Sequence, residues 1–594
     1  MSRELFTPIN RRVGDLLNDV KIGRIGLPDL QRPFVWKDNK VRELLDSMLK
    51  GFPIGFVMLW ESPTDFNNKS QIGTNNKDFS SAKDLVIDGQ QRLTALLGAI
   101  QGVKIKDVDY KERNIKISYN PLKREFEVCT PAFENSPEWI GSISDVFTAK
   151  AENTISKFRR SYIKRLNDFR IKENKNVLTD DQEIIIEDNL NDLLNLADYT
   201  LPTLEIKATA SEEEVADIFV RVNSGGQKLT EKNFIETLLA VYNNELQKRI
   251  NDFCKDSRIP KDGTSYNQII EVDPVHIIRT TVGLAFKRAR LRYAYMLLRG
   301  KDLKTGISSK ETQEENLDKF KNALDVVMNL NHWHAFLNII KESGYLKSTL
   351  ISSDNAVIFS YMIYLIGKLE YKVAPMQLKK LMQRWFFMAT ITAYYTNSPE
   401  SLVERQFADM RNLTDADDFV RFLDKEINNN FTEDYFSYNL IKDLETSSTA
   451  SPIWRGYLAA LNVLGYPMLF STTPMSSYFV VGAHGTKSSI DIHHIFPKHY
   501  LTTIGYTEDR DRNQIANYTY LDYSTNIDIS DNPPATYVQN YREKLGEEGY
   551  KMACMHNALP EDFEVLSYQE FLEKRRVLMA GLIKKAYRRL CDKN

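Results

Sequence analysis

Four of the chain's eight histidines fall in one short stretch near the carboxyl end. They are His484, His493, His494 and His499, and the last three lie in the segment IDIHHIFPKHYL. Clustering of a rare titratable residue is typical of metal binding or acid–base catalysis, although histidines also cluster by chance. The downstream segment NQIANYTYLDYSTNIDI adds two asparagines nine positions apart, Asn517 and Asn526. This stretch is the first candidate for a chemical site.

The order H-H-I-x-P, then an asparagine, then a second asparagine resembles the ββα-metal motif of HNH nucleases. The resemblance implies that His493 holds a divalent metal and that His494 is the general base that deprotonates the attacking water. It also implies that Asn517 fixes the loop and orients the base, and that Asn526 completes the metal site. Asp491 lies two positions before His493, on the same strand face, and could be a further ligand or a carboxylate that supports the ligands.

Phosphodiester hydrolysis needs such a set of groups. The negative phosphodiester repels hydroxide, so a divalent ion must neutralise charge while a neutral imidazole accepts the proton of water. Mg²⁺ prefers oxygen ligands, and a histidine at the position where many HNH nucleases have an acid also admits Mn²⁺. The expected metal is therefore Mg²⁺ or Mn²⁺. The alternative interpretation is a turn with packed histidines.

A second polar cluster interrupts the stretch VIDGQQRLTALLGAI. A β-type run ends at Asp88, Gly89 follows, and the leucines after it recur at helical spacing, which predicts a strand-to-helix corner. Arg92 at the start of that helix would form an anion pocket with backbone N–H groups and the helix dipole. Gln90 and Gln91 could contact polar edges of a ligand. Asp88 could bind a cation or activate a water molecule. The alternative is a capped turn with surface polar residues.

Three ordered stretches extend this pattern: LPDLQRPFVWKDNKVRELLDSMLKGFPIGFVMLW, DGQQRLTALL and FVRVNSGGQKLTEKNF. Together they resemble the amino-terminal domain of GmrSD-type modification-dependent restriction endonucleases, which belongs with the ParB and sulfiredoxin-like nucleotide-binding fold. The resemblance implies a nucleoside triphosphate (NTP) site. Its lining residues would be Asp88, Gly89, Gln90, Gln91 and Arg92, with Gln31 and Arg32 beside them and Arg221 and Asn223 on a facing loop. Phe34 and Trp36 could stack a base or belong to the core.

The pattern of strand and helix signals along the chain predicts a helix-rich α+β multidomain protein. Residues 1–242 mix short strands with amphipathic segments and form the ParB/sulfiredoxin-like α/β domain that the resemblance implies. Residues 243–445 carry successive helical patterns and predict an all-helical middle region. Residues 446–594 follow a Ser/Thr-rich break and hold the HNH-like ββα motif embedded in helices.

Composition narrows the class of protein. The formal net charge is −2 over 594 residues, so any contact with nucleic acid must be local. One candidate patch is KRRVLMAGLIKKAYRR, for which a solvated basic helix face is the other interpretation. The four cysteines form no C-x-x-C pair, and no apolar run reaches the ~18 residues needed to cross a bilayer, so we expect a cytoplasmic protein without membrane contact.

These features together predict an NTP-dependent, modification-sensing DNA endonuclease that nicks or cuts phage DNA in anti-phage defence. The resemblance implies targets such as glucosylated hydroxymethylcytosine or phosphorothioate DNA. The expected partners are modified phage DNA and an NTP, with a homo-oligomer left open. The alternative is a nucleotide-binding, DNA-binding regulatory switch whose nuclease domain is inactive or directed at RNA.

Overall fold

A computed structural model of the protein describes residues 4–28, 34–61, 69–70, 83–107, 111–210, 214–215, 218, 222, 244–298, 300–302, 305–307, 309–479, 490–529 and 531–592. The chain forms two compact units, Met1–Lys255 and Asp256–Asn594. In the described ranges, no helix has both the length and the apolar character needed to cross a membrane. The predicted helix-rich α+β class is confirmed, because a small mixed sheet accompanies many helices.

The strands of the first unit are short. In chain order they are β1 (Phe6–Arg12), β2 (Ile25–Pro28), β3 (Val57–Glu61), β4 (Lys69–Ser70), β5 (Asp84–Asp88), β6 (Ile105–Lys106), β7 (Glu112–Arg113), β8 (Ile117–Asn120), β9 (Glu125–Val128) and β10 (Thr200–Ile206). Six of them form one sheet in the order β1-β10-β3-β5-β2-β4. Strand β3 pairs with β10 in parallel and with β5 in antiparallel orientation. The carboxyl end of β5 therefore lies beside the start of β3.

Most helices of the first unit contribute to the larger apolar core, which also includes Val57, Leu59 and Val86 of the sheet. The helices of this unit are α1 (Val13–Lys21), α2 (Asp38–Leu49), α3 (Gln90–Gln101), α4 (Pro131–Glu134), α5 (Ile143–Ala151), α6 (Ile155–Lys172), α7 (Asp180–Leu194) and α8 (Asn244–Asp256), with a 3₁₀ turn at Asn195–Asp198. Helix α3 is buried along most of its length and lies between two glycines with positive φ, Gly89 and Gly102. A residue without a Cβ adopts that conformation at little cost, so the two glycines define the ends of the helix.

The second unit consists mainly of helices. They are α9 (Pro274–Phe286), α10 (Leu291–Leu298), α11 (Lys310–Val327), α12 (Leu330–Glu342), α13 (Asp354–Leu369), α14 (Pro375–Ile391), α15 (Pro399–Met410), α16 (Ala416–Asn430), α17 (Leu440–Asp443), α18 (Pro452–Leu464), α19 (Lys498–Thr503), α20 (Asp509–Arg512), α21 (Tyr523–Ile529), α22 (Pro534–His556) and α23 (Tyr568–Cys591). A π-helical turn spans Tyr435–Asn439, and short 3₁₀ turns lie at Ser348–Leu350, Met475–Phe479, Ile515–Asn517 and Phe563–Val565.

Helices before and after the predicted boundary at 445 pack together within the second unit. Helix α14 contacts both α18 and the carboxy-terminal helix α23. Helix α14 is almost wholly apolar on its buried side, and Trp385 is completely buried in it. Helix α23 begins with a capping box in which Ser567 and Glu570 each accept a backbone N–H, so its start is fixed locally. The predicted division into 1–242, 243–445 and 446–594 stays a prediction.

One close approach joins α12 to α18. Gly344, just after α12, has φ of +90°, and a Cβ built there would overlap the carbonyl oxygen of Ala459 in α18. The carbonyl of Gly344 also accepts a hydrogen bond of 2.8 Å from the Asn462 side chain. Only glycine satisfies both the backbone conformation and the backbone contact.

Gly344→Ala should lower the free energy of unfolding by about 3 kcal/mol, the sum of left-handed strain and overpacking. The matched control is Gly465→Ala, which has φ of +70° and open space at its Cβ position. That variant should lose only the ~1–2 kcal/mol of unfolding free energy that the left-handed backbone conformation costs. Denaturant titrations of both variants measure the difference, and equal losses would contradict the close approach.

Candidate functional site

The histidine pair lies on an antiparallel hairpin in the second unit. Strand β11 (Ile490–His494) pairs with β12 (Tyr518–Asp522), with His493 opposite Thr519 and His494 opposite Tyr518. Helix α21 follows β12 directly, contacts both strands and carries Asn526. The order is therefore strand, strand, helix. Because consecutive residues of a strand point to opposite faces, the two histidines have different neighbours.

The ring of His493 meets the side chain of Asn526. Burial lowers the pKa of His493, while a hydrogen bond with Asn526 and the negative charge of Asp531 act in the opposite direction. The Nε2 atom of His493 is buried and has no hydrogen-bond partner among the described residues. A neutral imidazole with an unsatisfied buried nitrogen next to an amide is a donor set that a divalent ion could use.

The remaining predicted metal ligand is Asp491. Its backbone pairs with Leu521 in the hairpin, two positions before His493, and its side chain lies outside the described residues. In the part of the chain that the structure describes, no group of three or more His, Cys, Asp or Glu side chains is arranged to hold a metal ion. The donors brought together are therefore one imidazole and one amide.

His494 has a different partner. Its Nε2 atom lies 3.0 Å from Oδ1 of Asn513, and its ring stands edge-on to Tyr518 with centroids 4.9 Å apart. An amide oxygen only accepts hydrogen bonds, so this contact places the ring proton on Nε2 and leaves the lone pair on Nδ1. The ring is thus fixed in one orientation and one tautomer.

The surroundings of His494 favour its neutral form. Burial lowers the pKa of His494 to about 4. The positive charges of Lys498 and Arg512 and the neighbouring His493 ring act in the same direction, and the hydrogen bond with Asn513 opposes them. At neutral pH the ring is uncharged and able to accept a proton, as a general base must.

Asn517 is completely buried and bridges the two ends of the segment between the strands. Its Oδ1 accepts a hydrogen bond of 2.8 Å from the backbone N–H of Phe496, and its Nδ2 donates to the Phe496 carbonyl at 3.0 Å. The same Nδ2 donates to the carbonyl of Arg512 at 3.3 Å. Asn517 therefore fixes the backbone two residues after His494 and directly before Asn513.

Helix α23 holds the same segment from the other side. Arg575 is completely buried and donates to the carbonyl of Ala516 at 2.8 Å, and Arg576 donates to Gln514 Oε1 at 3.1 Å. The hydroxyl of Tyr568 donates to the backbone carbonyl of Asp511 at 3.0 Å. For these two arginines, both sequence interpretations of the basic patch, a solvated face or a nucleic-acid contact, are wrong because the side chains are buried.

The second predicted site is the corner in the first unit. Strand β5 ends at Asp88, Gly89 has φ of +93°, and α3 begins at Gln90. The predicted strand-to-helix corner is confirmed. The backbone N–H of Gly89 donates to Asp88 Oδ1 at 2.8 Å, so the carboxylate closes the turn on itself. Gln91 Oε1 accepts from the backbone N–H of Val35 at 3.0 Å, which joins the corner to the QRPFVW stretch.

The guanidinium of Arg92 lies between two glycines that adopt positive φ. Its Nη1 donates to the carbonyl of Phe56 at 2.6 Å, and a Cβ on Gly55 would lie 2.7 Å from its Nη2. A Cβ on Gly89 would meet Val57 at 3.0 Å. Burial lowers the pKa of Arg92, and the Asp88 carboxylate opposes the shift. In the structure, one arm of the guanidinium therefore fixes the loop before β3.

The other residues predicted near the nucleotide site either belong to the core or lie outside the described residues. Phe34 is buried in the larger core, and Trp36 packs partly buried against it with Lys40 over its ring, so both belong to the core. The other predicted lining residues lie outside the described residues, namely Gln31, Arg32, Arg221 and Asn223.

Sequence reasoning missed three contributors. Asn513 carries no motif, and its contact with His494 spans 19 positions of the chain. Gly55 and Phe56 stand inside a stretch already quoted for its resemblance, GFPIGFVMLW. The second glycine of that stretch, directly before a strand, was the signal available for a special backbone position. It does not indicate the partner, because Arg92 is 36 positions away from Phe56.

Comparison with known proteins bears on the first unit. Residues 13–240 match the family model of the GmrSD restriction endonuclease N-terminal domain. This match supports the GmrSD-type family for that region, as the sequence resemblance predicted. An uncharacterized protein of Methanocaldococcus jannaschii, MJ0686, is 23% identical over 587 residues, which cover 94% of this chain and 90% of that protein. The GmrSD-like region thus includes the corner at Gly89 and ends well before the hairpin.

Asn517→Ala should lower the free energy of unfolding by about 3 kcal/mol, because the Phe496 N–H and carbonyl would stay buried without partners. The control is Asn532→Ala, an exposed asparagine near α21 whose loss should cost at most ~0.5 kcal/mol. Equilibrium unfolding by denaturant compares the two. Equal stability of these variants would show that Asn517 does not hold the segment.

Proposed function

We propose that the protein is an NTP-dependent, modification-sensing DNA endonuclease of the HNH type that acts in defence against phage. The observation that carries the nuclease part is the meeting of His493 with Asn526 beside a neutral, oriented His494 on a strand–strand–helix unit. The match of residues 13–240 to a restriction endonuclease domain supports DNA as the substrate.

The residues present fit the divalent ion that this chemistry needs. His493 and Asn526 would hold Mg²⁺ or Mn²⁺, since the buried His493 Nε2 lacks a partner among the described residues. Asp491, on the same strand, is the proposed additional ligand. When bound, the ion supplies charge neutralisation at the phosphodiester oxygens.

His494 is the proposed general base. Its Nε2 is engaged by Asn513, so Nδ1 carries the lone pair that removes a proton from the attacking water. Asn517 holds the backbone at Phe496 and Arg512, near each member of this pair, which keeps the base in place as it becomes charged. Residues of this chain therefore supply both the proton acceptor and the groups that orient it.

The proposed NTP site is the corner from Asp88 to Arg92. Support comes from the buried guanidinium and from the start of α3 directly after Gly89, where backbone N–H groups favour an anion. The contact of Gln91 with Val35 supports the proposed neighbourhood of Gln31 and Arg32. Arg221 and Asn223 are proposed to face this corner.

His494→Ala should reduce DNA cleavage at least ~100-fold, the usual range for loss of a general base, and leave NTP hydrolysis unchanged. The two proposed sites lie in different units, so one can be lost without the other. The assay incubates the purified protein with Mg²⁺ or Mn²⁺ and each NTP against modified and unmodified phage DNA.

Excess EDTA should stop cleavage by the unaltered protein.

Two outcomes would contradict this assignment. Loss of both activities in a folded His494→Ala protein would refute the separation into two sites. Undiminished cutting in EDTA would refute a metal-dependent HNH nuclease.

Arg92→Ala should weaken NTP binding by roughly 10- to 150-fold, because a charged hydrogen bond is worth about 1.5–3 kcal/mol. The matched control is Arg124→Ala in the same unit, where an exposed arginine pairs with Asp192 at 2.8 Å. Calorimetric titration with each NTP measures both variants, and circular dichroism checks that they fold. If Arg92→Ala binds NTP as tightly as the control does, the corner is not the NTP site.

A further inference from the structure

Asn513 follows α20, and its side chain reaches the ring of His494. The distance from Asn513 Oδ1 to His494 Nε2 is 3.0 Å, and both residues are partly buried. Lys498 and Arg512 bring positive charge near the ring. The imidazole is thus oriented by a neutral amide oxygen.

The segment that carries Asn513 is held at both sides. The Arg512 carbonyl before it accepts hydrogen bonds from Asn517 Nδ2 and from the Tyr568 hydroxyl, each at 3.3 Å. The backbone N–H of Asn513 itself donates to Asp509 at 2.9 Å. The Gln514 side chain after it accepts from Arg576. A side chain on such a fixed backbone can define the direction of its partner.

A neutral imidazole has two tautomers, and only one has its lone pair on Nδ1. An acceptor at Nε2 selects that tautomer, because the ring proton must lie between Nε2 and the amide oxygen. In the other tautomer, Nδ1 carries the proton and cannot receive one from water. In that tautomer the lone pair of Nε2 would also face the amide oxygen of Asn513 and be repelled by it.

We propose that Asn513 is a positioning residue that sets the tautomer and orientation of His494 for the nuclease reaction; this inference rests on the proposed function. Asn513 is proposed to act through the ring of His494 and not on the metal or the phosphodiester. It acts on the rate of proton transfer through His494. Its loss should therefore change turnover more than DNA binding.

The kinetic test compares Asn513→Ala, Asn513→Asp and the control Asn532→Ala in the full-length protein with Mn²⁺ and cleavable DNA. Loss of the oxygen acceptor should lower kcat roughly 10- to 100-fold, the usual effect of removing a group that orients a reactive imidazole. KM for DNA should stay within about twofold of its original value. Asn513→Asp keeps an acceptor oxygen at the same position and should recover most of the lost kcat.

Three results would overturn the inference: unchanged kcat in Asn513→Ala, a loss that appears mainly in KM, or an Asn513→Asp protein as slow as Asn513→Ala. The Asn532→Ala control removes an amide of the same size from an exposed position next to α21. A matching loss of kcat in that control would also overturn it, since the effect would not be specific to the partner of His494.

A second measurement does not depend on nuclease activity. Nitrogen-15 NMR of ring-labelled histidines reports the tautomer, and the resonances missing from His494→Gln belong to His494. The unaltered protein should show His494 with its proton on Nε2 alone, whereas Asn513→Ala should show a mixture of the two tautomers. An unchanged spectrum in Asn513→Ala would overturn the inference. If no DNA is cleaved under any condition, the proposed function fails while this comparison still decides the role of Asn513.

Discussion

The buried amide of Asn517 is the interaction on which the hairpin site depends. It satisfies the N–H and carbonyl of Phe496, which the core would otherwise leave without partners, and it shares the carbonyl of Arg512 with the Tyr568 hydroxyl. Phe496 is two residues after His494 and Arg512 directly precedes Asn513, so one side chain holds the backbone near both the base and its partner. An apolar residue of similar size would fill the space but leave the backbone groups unsatisfied.

Buried guanidinium groups bound to backbone carbonyls have a similar part in both units. Arg575 is completely buried, donates to Ala516, and lies among the Tyr457, Tyr537 and Tyr568 rings. Arg92 donates to Phe56 beside two glycines of positive φ. Burial of a charge is costly unless its hydrogen bonds are made, and several carbonyl and hydroxyl oxygens can make them without a carboxylate. Each arginine therefore fixes a loop next to a candidate site.

The two candidate sites draw on separate parts of the chain. The GmrSD-like region spans residues 13–240 and contains the corner at Gly89, while the histidine hairpin and its supporting helices lie in the unit Asp256–Asn594. The relative from Methanocaldococcus jannaschii is similar over 94% of this chain, a span that extends through both units. The described residues of the two candidate sites therefore belong to different units of the chain.

Local sequence patterns were sufficient to predict the elements and the local corners. Periodicity and single glycines were enough for β5, Gly89 and α3, for the helices between 256 and 443, and for the class of fold, because such patterns act through neighbours a few residues apart. Motif spacing also placed His493 and Asn526 in one group, and the structure brings them into contact. Only the tertiary structure decided the partners: Asn513 for His494, Phe56 for Arg92 and Ala516 for Arg575. These pairs are separated by 19, 36 and 59 positions, and packing selects such contacts among many polar residues of the same type.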